Sequence, residues 1–181
     1  MAHPWHDIPL PPDEDLDVFP VVIEVPQGSK VKYEIDKSTG LLRVDRILFS
    51  AVHYPANYGF VPRTFAEDDD PLDVLVLGQE PVYPLAVMQA RAIGGFLMSD
   101  EHGEDVKIIA VHVHDPAVNE YHRLEELPRH VVDEIVRFFE DYKVLEEKAV
   151  RMGRRIDAAE ARGVLRTSIE RYRKQVSRDE A

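Results

Sequence analysis

The sequence of residues 67–77 is Glu67-Asp68-Asp69-Asp70-Pro71-Leu72-Asp73-Val74-Leu75-Val76-Leu77. An acidic segment stiffened by Pro71 leads here directly into an apolar run of the kind that forms a buried strand. Carboxylates placed so close repel one another, and a hard divalent cation relieves that repulsion. Spacings of two and three let Asp68, Asp70 and Asp73 converge on one centre while Asp69 points away. A solvated acidic loop is the simpler alternative, and the pattern alone leaves it open.

Short β-type runs separated by turn signals extend on both sides of this segment, from residue 21 to residue 115. Glycine-containing turns at 26–29, 36–40 and 100–103 predict hairpins, and Gly94-Gly95 predicts a bulge or sharp bend within a long strand. Strands at this spacing indicate a small barrel or sandwich. The predicted strands span residues 21–25, 31–35, 41–48, 72–77, 86–98 and 106–113.

The hydrophobic period changes from two to about 3.6 after residue 115. A first helix is predicted behind Pro128, which suits a first-turn position, with its apolar residues continuing to Leu145. A second helix is predicted after Asp157, a good N-cap, with its apolar residues continuing to Val176. The predicted fold class is therefore mainly β with two flanking C-terminal helices, an α+β arrangement.

The chain has 181 residues, which corresponds to one domain large enough to bury its own core. Prolines and acids near the start predict an N-terminal arm of residues 1–20, followed by a single domain of residues 21–181. The formal net charge of −12 disfavours a nucleic-acid partner. Cysteine is absent, which fits a reducing compartment. No stretch has the pattern of a secretion signal or a membrane span, so we expect a cytoplasmic protein with no membrane partner.

Common phosphate-binding and nucleophile motifs are absent from the sequence, which has no glycine-rich phosphate loop, no dinucleotide fingerprint and no Gly-x-Ser-x-Gly elbow. A second acidic segment instead supplies Asp100 and Asp105 as further candidate metal ligands, with Lys107 as a partner for an anion. On a predicted strand, Lys32 and Glu34 share one face. Taken singly, each of these segments has the composition of an ordinary surface turn or strand.

The stretch Asp68-Asp69-Asp70-Pro71-Leu72-Asp73-Val74 matches the signature of the family I soluble inorganic pyrophosphatases of bacterial type. That signature reads Asp, a small or polar residue, Asp, Pro, an aliphatic residue, Asp and an aliphatic residue. Asp69 stands where the family often has glycine, and the similarity ends after Lys148. Further stretches resemble the family in the same order, namely Ile23-Glu24-Val25-Pro26, 32–36, 44–46, 54–60 and 138–143.

The resemblance implies an OB-like five-stranded β-barrel with helices outside it. It also implies hydrolysis of pyrophosphate to two phosphates with several Mg²⁺ ions, for which Mn²⁺ or Zn²⁺ could substitute. A homo-oligomer is implied as well, and bacterial members of the family are hexamers.

The same resemblance implies a role for each matching residue. Asp70 resembles the catalytic base that holds the attacking water. Asp68, Asp73 and Asp105 resemble direct metal ligands, and Asp100 resembles the ligand of a further metal. Glu24 and Glu34 resemble outer carboxylates that reach the metal through water. The side chains that resemble phosphate-binding residues are Lys32, Arg46, Tyr58, Lys107, Tyr142 and Lys143.

Two other functions stay open from the residues alone. A barrel of this type also binds single-stranded nucleic acid through aromatic stacking and a basic groove, although the acidic clusters argue against it. The second possible function is a metal-binding module without catalysis, although the loop at 68–73 lacks the Gly and the closing Glu of a calcium-binding loop between two helices. Helical spacing by itself makes Tyr142 a packing residue.

Overall fold

A computed structural model describes residues 2–12, 15–100 and 103–179 of the chain. In these residues, seven strands precede the first α-helix and an eighth lies between the first and the second α-helix. The bounds of these elements are β1 Phe19–Val25, β2 Val31–Ile35, β3 Leu42–Ile47, β4 Asn57–Phe60, β5 Asp73–Leu77, β6 Val87–Asp100, β7 Gly103–His112, α1 Arg129–Asp141, β8 Arg151–Asp157 and α2 Ala158–Asp179.

Five of the strands close into a ring. β1 pairs with β4 and with β6, β4 pairs with β5, and β7 pairs with both β5 and β6. Every pairing in the ring is antiparallel except β5 with β7, which is parallel. β8 adds an edge strand to β6, while β2 and β3 form a separate two-stranded sheet. The predicted mainly β fold, an OB-like five-stranded barrel with two C-terminal helices, is confirmed.

Both faces of the ring wall are buried at β5. Leu75 belongs to an apolar cluster that includes Phe138 of α1, whereas Val76 belongs to a cluster that includes Leu165 of α2. Alternate residues of a strand point to opposite faces, so a strand buried on both sides is apolar at successive positions. This packing explains the uninterrupted apolar run that follows the acidic segment.

Two of the three predicted hairpins are confirmed. The turn at 36–40 joins β2 to β3, and Asp100 lies opposite Gly103 where β6 meets β7. The hairpin predicted at 26–29 is wrong, because the chain leaves the ring there and enters the β2–β3 sheet. A glycine turn reverses the chain locally, but it does not specify which strands pair afterwards.

The sequence pattern does not predict the strands β4 and β8. β4 has only four residues, and Gly59 stands where a Cβ would lie 1.9 Å from the carbonyl oxygen of Val22. Glycine is therefore required for the close approach of β1 to β4. β8 is an edge strand with one buried residue, Ile156, so it shows no alternation of apolar and polar residues.

The two C-terminal helices are present where the period predicts them. α1 ends at Asp141 and does not reach Leu145, which is exposed in the short 3₁₀ turn Val144–Glu146. The carboxylate of Asp157 accepts a hydrogen bond from the backbone N–H of Glu160 at 2.8 Å, which confirms the predicted N-cap of α2. Among the described residues, no helix is long and apolar enough to cross a bilayer.

The junction between the N-terminal segment and the barrel differs from the prediction. β1 begins at Phe19, so Pro20 lies inside a strand. At this position β1 pairs only with β6, because its pairing with β4 starts at Val22. Proline is tolerated where one edge of a strand has no neighbour. The division into an arm of residues 1–20 and a domain of residues 21–181 stays a prediction.

The bulge predicted at Gly94-Gly95 is confirmed. The register of β6 against β7 shifts between Ala92 and Gly94, and Gly94 has a φ of +149°. A Cβ on Gly94 would lie 2.6 Å from the side chain of Leu124. The shift bends the long strand β6, which pairs with β1, β7 and β8 along its length.

Candidate active site

One cavity of about 830 Å³ lies between the strand ring, the β2–β3 sheet and the C-terminal end of α1. Asp100 ends β6, and its side chain lies outside the described residues. Every other predicted site residue lines this cavity. These residues are Glu24, Lys32, Glu34, Arg46, Tyr58, Asp68, Asp70, Asp73, Asp105, Lys107, Tyr142 and Lys143.

Lys107 lies at the buried end of the cavity, with only 4% of its surface exposed. Its ammonium contacts the carboxylate of Asp73, lies 2.6 Å from Asp105, and donates to the hydroxyl of Tyr58 at 3.3 Å. Burial lowers the pKa of Lys107, but the charges of Asp73 and Asp105 outweigh it and raise the pKa well above its usual value. Lys107 therefore stays charged and offsets part of the negative charge of two of the predicted metal ligands.

The carboxylates around Lys107 form an oxygen-only donor set. Burial raises the pKa of Asp68, and the neighbouring charges of Asp70 and Asp73 add to the rise. Burial also raises the pKa of Asp105, against the influence of Lys107, with Asp73 contributing in the same direction as burial. No group of three or more acidic or histidine side chains in the described ranges has metal-holding geometry. The set fits a hard divalent cation, because its donor atoms are all oxygens and a cation would relieve the repulsion between the carboxylates.

Glu24 is the most deeply buried carboxylate of the cavity. One of its oxygens accepts the backbone N–H of Ile35 at 2.7 Å, and 6% of the residue is exposed. Burial, followed by the charge of Asp73, raises the pKa of Glu24 to about 8. The side chain is therefore protonated near neutral pH in the metal-free protein.

The β2–β3 sheet carries the basic wall of the cavity, and each basic side chain there is paired with a carboxylate. Lys32 contacts Glu34 and lies 3.4 Å from Asp45. Arg43 lies 3.0 Å from the second oxygen of Glu34. Burial raises the pKa of Glu34, but the hydrogen bond and charge of Lys32 and the hydrogen bond of Arg43 outweigh it, so the pKa is lowered.

Arg46 joins the basic wall to the chain segment after α1. Its guanidinium contacts Asp45 and lies 2.8 Å from Glu146 in the 3₁₀ turn. Within the described part of the chain, its buried Nη2 has no hydrogen-bond partner. An unpaired buried donor that lines a cavity beside other cations is suited to an anionic oxygen.

Aromatic rings separate the two charged walls from the core. The ring centroids of Tyr54 and Tyr58 are 5.3 Å apart, and those of Phe138 and Tyr142 are 5.4 Å apart. Burial raises the pKa of Tyr58 well above its usual value, so its hydroxyl remains a donor at neutral pH. Tyr142 is buried in the core and also lines the cavity. Its position is therefore compatible both with a packing residue and with a residue of the site.

The acidic segment forms a tight loop at the mouth of the cavity. The backbone N–H of Ala66 donates to the carbonyl of Asp70 at 2.7 Å, and the N–H of Asp70 donates to the carboxylate of Asp68 at 3.1 Å. Asp69 takes a left-handed conformation with a φ of +61° and lies outside the cavity lining, as its spacing predicts. Lys37 lies 2.5 Å from the carboxylate of Asp70.

Sequence reasoning misses four residues that hold the site together. Tyr54 lies within a stretch quoted for the family resemblance, so that resemblance could have identified it. Asp45 also lies in such a stretch, beside Arg46. Lys37 and Glu146 carry no local signal, because each reaches the site only through a partner distant in sequence.

The comparisons with known proteins are consistent with this geometry. A family model described as inorganic pyrophosphatase matches residues 21–173. A soluble inorganic pyrophosphatase of Zea mays is 53% identical over 94% of this chain and 79% of its own length. One from Arabidopsis thaliana is 52% identical over 94% of this chain and 80% of its own length. The crystal structure of the inorganic pyrophosphatase from Thermus thermophilus has a TM-score of 0.90 and 40% identity, covering 95% of this chain and 99% of that one.

The raised pKa of Glu24 predicts a pH-dependent gain in stability for Glu24→Gln in the metal-free protein. Below about pH 4.5 the carboxyl of Glu24 is protonated in both the folded and the unfolded states, so its ionisation does not change the free energy of unfolding. Between about 4.5 and 8 only the unfolded chain releases the proton, so the wild type loses stability as the pH rises. Each pKa unit corresponds to about 1.4 kcal/mol, so the variant should be more stable by several kcal/mol at pH 8.

Urea unfolding with chelator at pH 5 and pH 8 measures this difference, and Glu34→Gln is the matched control. The pKa of Glu34 is lowered, so its charge stabilises the folded state above its unfolded pKa and this stability is lost as the pH falls. Its partners are partly exposed, so the control should be less stable than the wild type at pH 8 by about 1 kcal/mol or less. A destabilised Glu24→Gln protein at pH 8 would contradict the prediction.

Proposed function

The chain belongs to the inorganic pyrophosphatase family and hydrolyses inorganic pyrophosphate to two phosphates, and from this premise we propose a Mg²⁺-dependent mechanism with Asp70 as the catalytic base. One observation carries the proposal. Carboxylate oxygens and the basic side chains of the β2–β3 sheet line the same cavity. Pyrophosphate is a small polyanion that requires both neutralising cations and donors for its oxygens.

Membership of the family implies a divalent metal cofactor. Asp68, Asp73 and Asp105 would hold it directly, Asp100 would hold a further ion, and Glu24 and Glu34 would reach the ions through water. When bound, a divalent cation neutralises the substrate and makes the attacking water more acidic. Mg²⁺ is proposed because every donor is a hard oxygen, and Mn²⁺ or Zn²⁺ are proposed substitutes.

Asp70 accepts the proton of the attacking water in this proposal. The water oxygen forms a bond to one phosphorus while the bridging P–O bond breaks, and the bridging oxygen leaves with the second phosphate. Support comes from the position of Asp70 in the cavity lining, within reach of solvent and beside Asp68. The Lys37 ammonium lies 2.5 Å from this carboxylate and forms an ion pair with it.

Six side chains bind the phosphate groups in this proposal. Each of Lys32, Arg46 and Lys107 is paired with a carboxylate, so phosphate oxygens would replace or share those carboxylates as acceptors. The Nη2 of Arg46, which has no hydrogen-bond partner among the described residues, supports an anionic oxygen at that position. The other three proposed phosphate-binding residues are Tyr58, Tyr142 and Lys143.

Single-stranded nucleic acid is not favoured as the ligand. A strand-binding groove combines exposed stacking rings with a continuous basic track. Here Tyr58 and Tyr142 are buried, and the basic residues of the β2–β3 sheet are each paired with acids.

We also propose a cytoplasmic homohexamer that draws pyrophosphate-releasing biosynthesis forward by removing its product. The soluble relatives support the location. Exposed apolar side chains support the assembly, with Tyr83 and Leu85 in the segment just before β6, Val87 at the start of β6, and Val44 and Ile47 on β3.

Purified protein should release phosphate from pyrophosphate rapidly with Mg²⁺ and stop when a chelator removes the metal. Ca²⁺ should not replace Mg²⁺, because it prefers a larger and looser coordination sphere. A colorimetric phosphate assay in the three conditions tests the proposed cofactor. Equal release with chelator present would exclude the metal-dependent mechanism.

Asp70→Asn should lower kcat by about 100-fold or more while the fold and metal binding remain, because the amide cannot accept the proton. Asp69→Asn is the matched control one residue away. It removes a carboxylate outside the cavity lining, and asparagine tolerates the left-handed backbone there. The control should keep kcat within about twofold. Near-normal turnover in the Asp70 variant would remove this residue from the role.

Sedimentation velocity at micromolar concentration should show a hexamer, because burial of the exposed apolar side chains favours association. Tyr83→Glu with Val87→Glu should reduce the assembly to smaller species if that patch forms a contact. A wild-type protein that sediments as a monomer would exclude the proposed state.

A further inference from the structure

The N-terminal residues pack behind the acidic loop, on the side away from the cavity. Trp5 is only 3% exposed. Its ring centroid lies 4.9 Å from that of Phe65 at the start of the loop and 6.4 Å from that of Tyr172 on α2. His6 stacks on both Trp5 and Tyr172, and its Nδ1 lies 2.8 Å from the Tyr172 hydroxyl. These residues form an aromatic cluster that joins the arm to the barrel and to α2.

Hydrogen bonds tie Trp5 to the point where the two ends of the acidic loop meet. The indole N–H donates to the carbonyl of Thr64 at 3.0 Å, and the Trp5 carbonyl accepts the N–H of Arg63 at 2.8 Å. The hydroxyl of Thr64 in turn accepts the N–H of Leu72 at 2.9 Å. Thr64 therefore joins both ends of the loop, and Trp5 holds Thr64.

A second connection passes through Lys37. The ring of His3 lies 3.2 Å from the carbonyl oxygen of Lys37, and the Lys37 ammonium lies 5.9 Å from the centroid of the Trp5 ring. The same ammonium lies 2.5 Å from the Asp70 carboxylate and donates to the carbonyl of Asp69 at 3.2 Å. The arm thus contacts Lys37, the cation that pairs with Asp70 in the described part of the chain.

We propose that Trp5 is a positioning residue for the reaction, which orients Asp70 through Thr64 and Lys37. The indole restricts the loop from behind, while Lys37 fixes the carboxylate from the side. Displacement of a reacting group by about 1 Å is enough to lower a rate by orders of magnitude. This inference rests on the proposed role of Asp70 as the base.

Kinetics of Trp5→Ala and Trp5→Phe test the inference, with Phe49→Ala as the control for loss of an aromatic ring. Phe49 is 62% exposed and lies outside the cavity lining. Trp5→Ala should lower kcat about tenfold while KM changes less than about twofold, since orientation of the base affects the chemical step more than substrate binding. Trp5→Phe fills most of the space but lacks the N–H, so it should recover part of kcat.

Two readouts separate positioning from a general loss of structure. Hydrogen exchange of the metal-free protein should become faster in the peptide covering residues 64–72 in Trp5→Ala, and the peptides of β5 and β7 should not change. In the Asp70→Asn background, Trp5→Ala should cause no further loss of kcat, because a residue that acts through Asp70 has no effect once the base is removed.

Several results would overturn the inference. These are unchanged kcat in both Trp5 variants, unchanged exchange at residues 64–72, or a full additional loss of kcat in the double variant. Trp5 is the single tryptophan of the chain, so its fluorescence reports whether the arm is docked in the wild type. If Asp70→Asn itself retains normal turnover, the proposed base is wrong, and the exchange result still decides whether Trp5 restrains the loop.

Discussion

The ammonium of Lys107 lies buried between Asp73 and Asp105, and the other charged groups of the cavity are arranged around this contact. Carboxylates gathered in a partly buried place raise one another's pKa values unless a cation neutralises them. Lys107 supplies part of that charge from within the chain. Burial first, and then the remaining repulsion between carboxylates, raise the pKa values of Asp68 and Glu24, and both effects favour a divalent cation in the same place.

The parallel pairing of β5 with β7 brings this contact about. Val74 pairs with Ile108, which places Asp73 beside Lys107 although 34 residues separate them in the chain. The ring then surrounds the pair, because β4 carries Tyr58 on the other side of β5. An exchange of strand order would separate these groups even if every strand still formed.

The two helices have different relations to the cavity. α1 contributes aromatic core residues and ends at the cavity, where Glu146 in the following turn binds Arg46 of the basic wall. α2 lies against the opposite face of the ring and contacts the acidic loop from behind, through Ser168 to Phe65 and through Arg171 to Glu67. The loop is therefore held between the cavity and a packed helix.

Local sequence signals identify the acidic loop and the strand after it, two of the hairpins, the bulge at Gly94-Gly95 and the N-cap at Asp157. These depend on residues near one another in the chain, so periodicity and turn chemistry reveal them. The family resemblance added the candidate site residues. Three features emerge only in the folded chain: the strands β4 and β8, the pairing of Lys107 with two acids, and the contacts of Lys37 and Trp5 with the acidic loop. Those contacts join distant segments, and their energy comes from burial and charge pairing that no local pattern records.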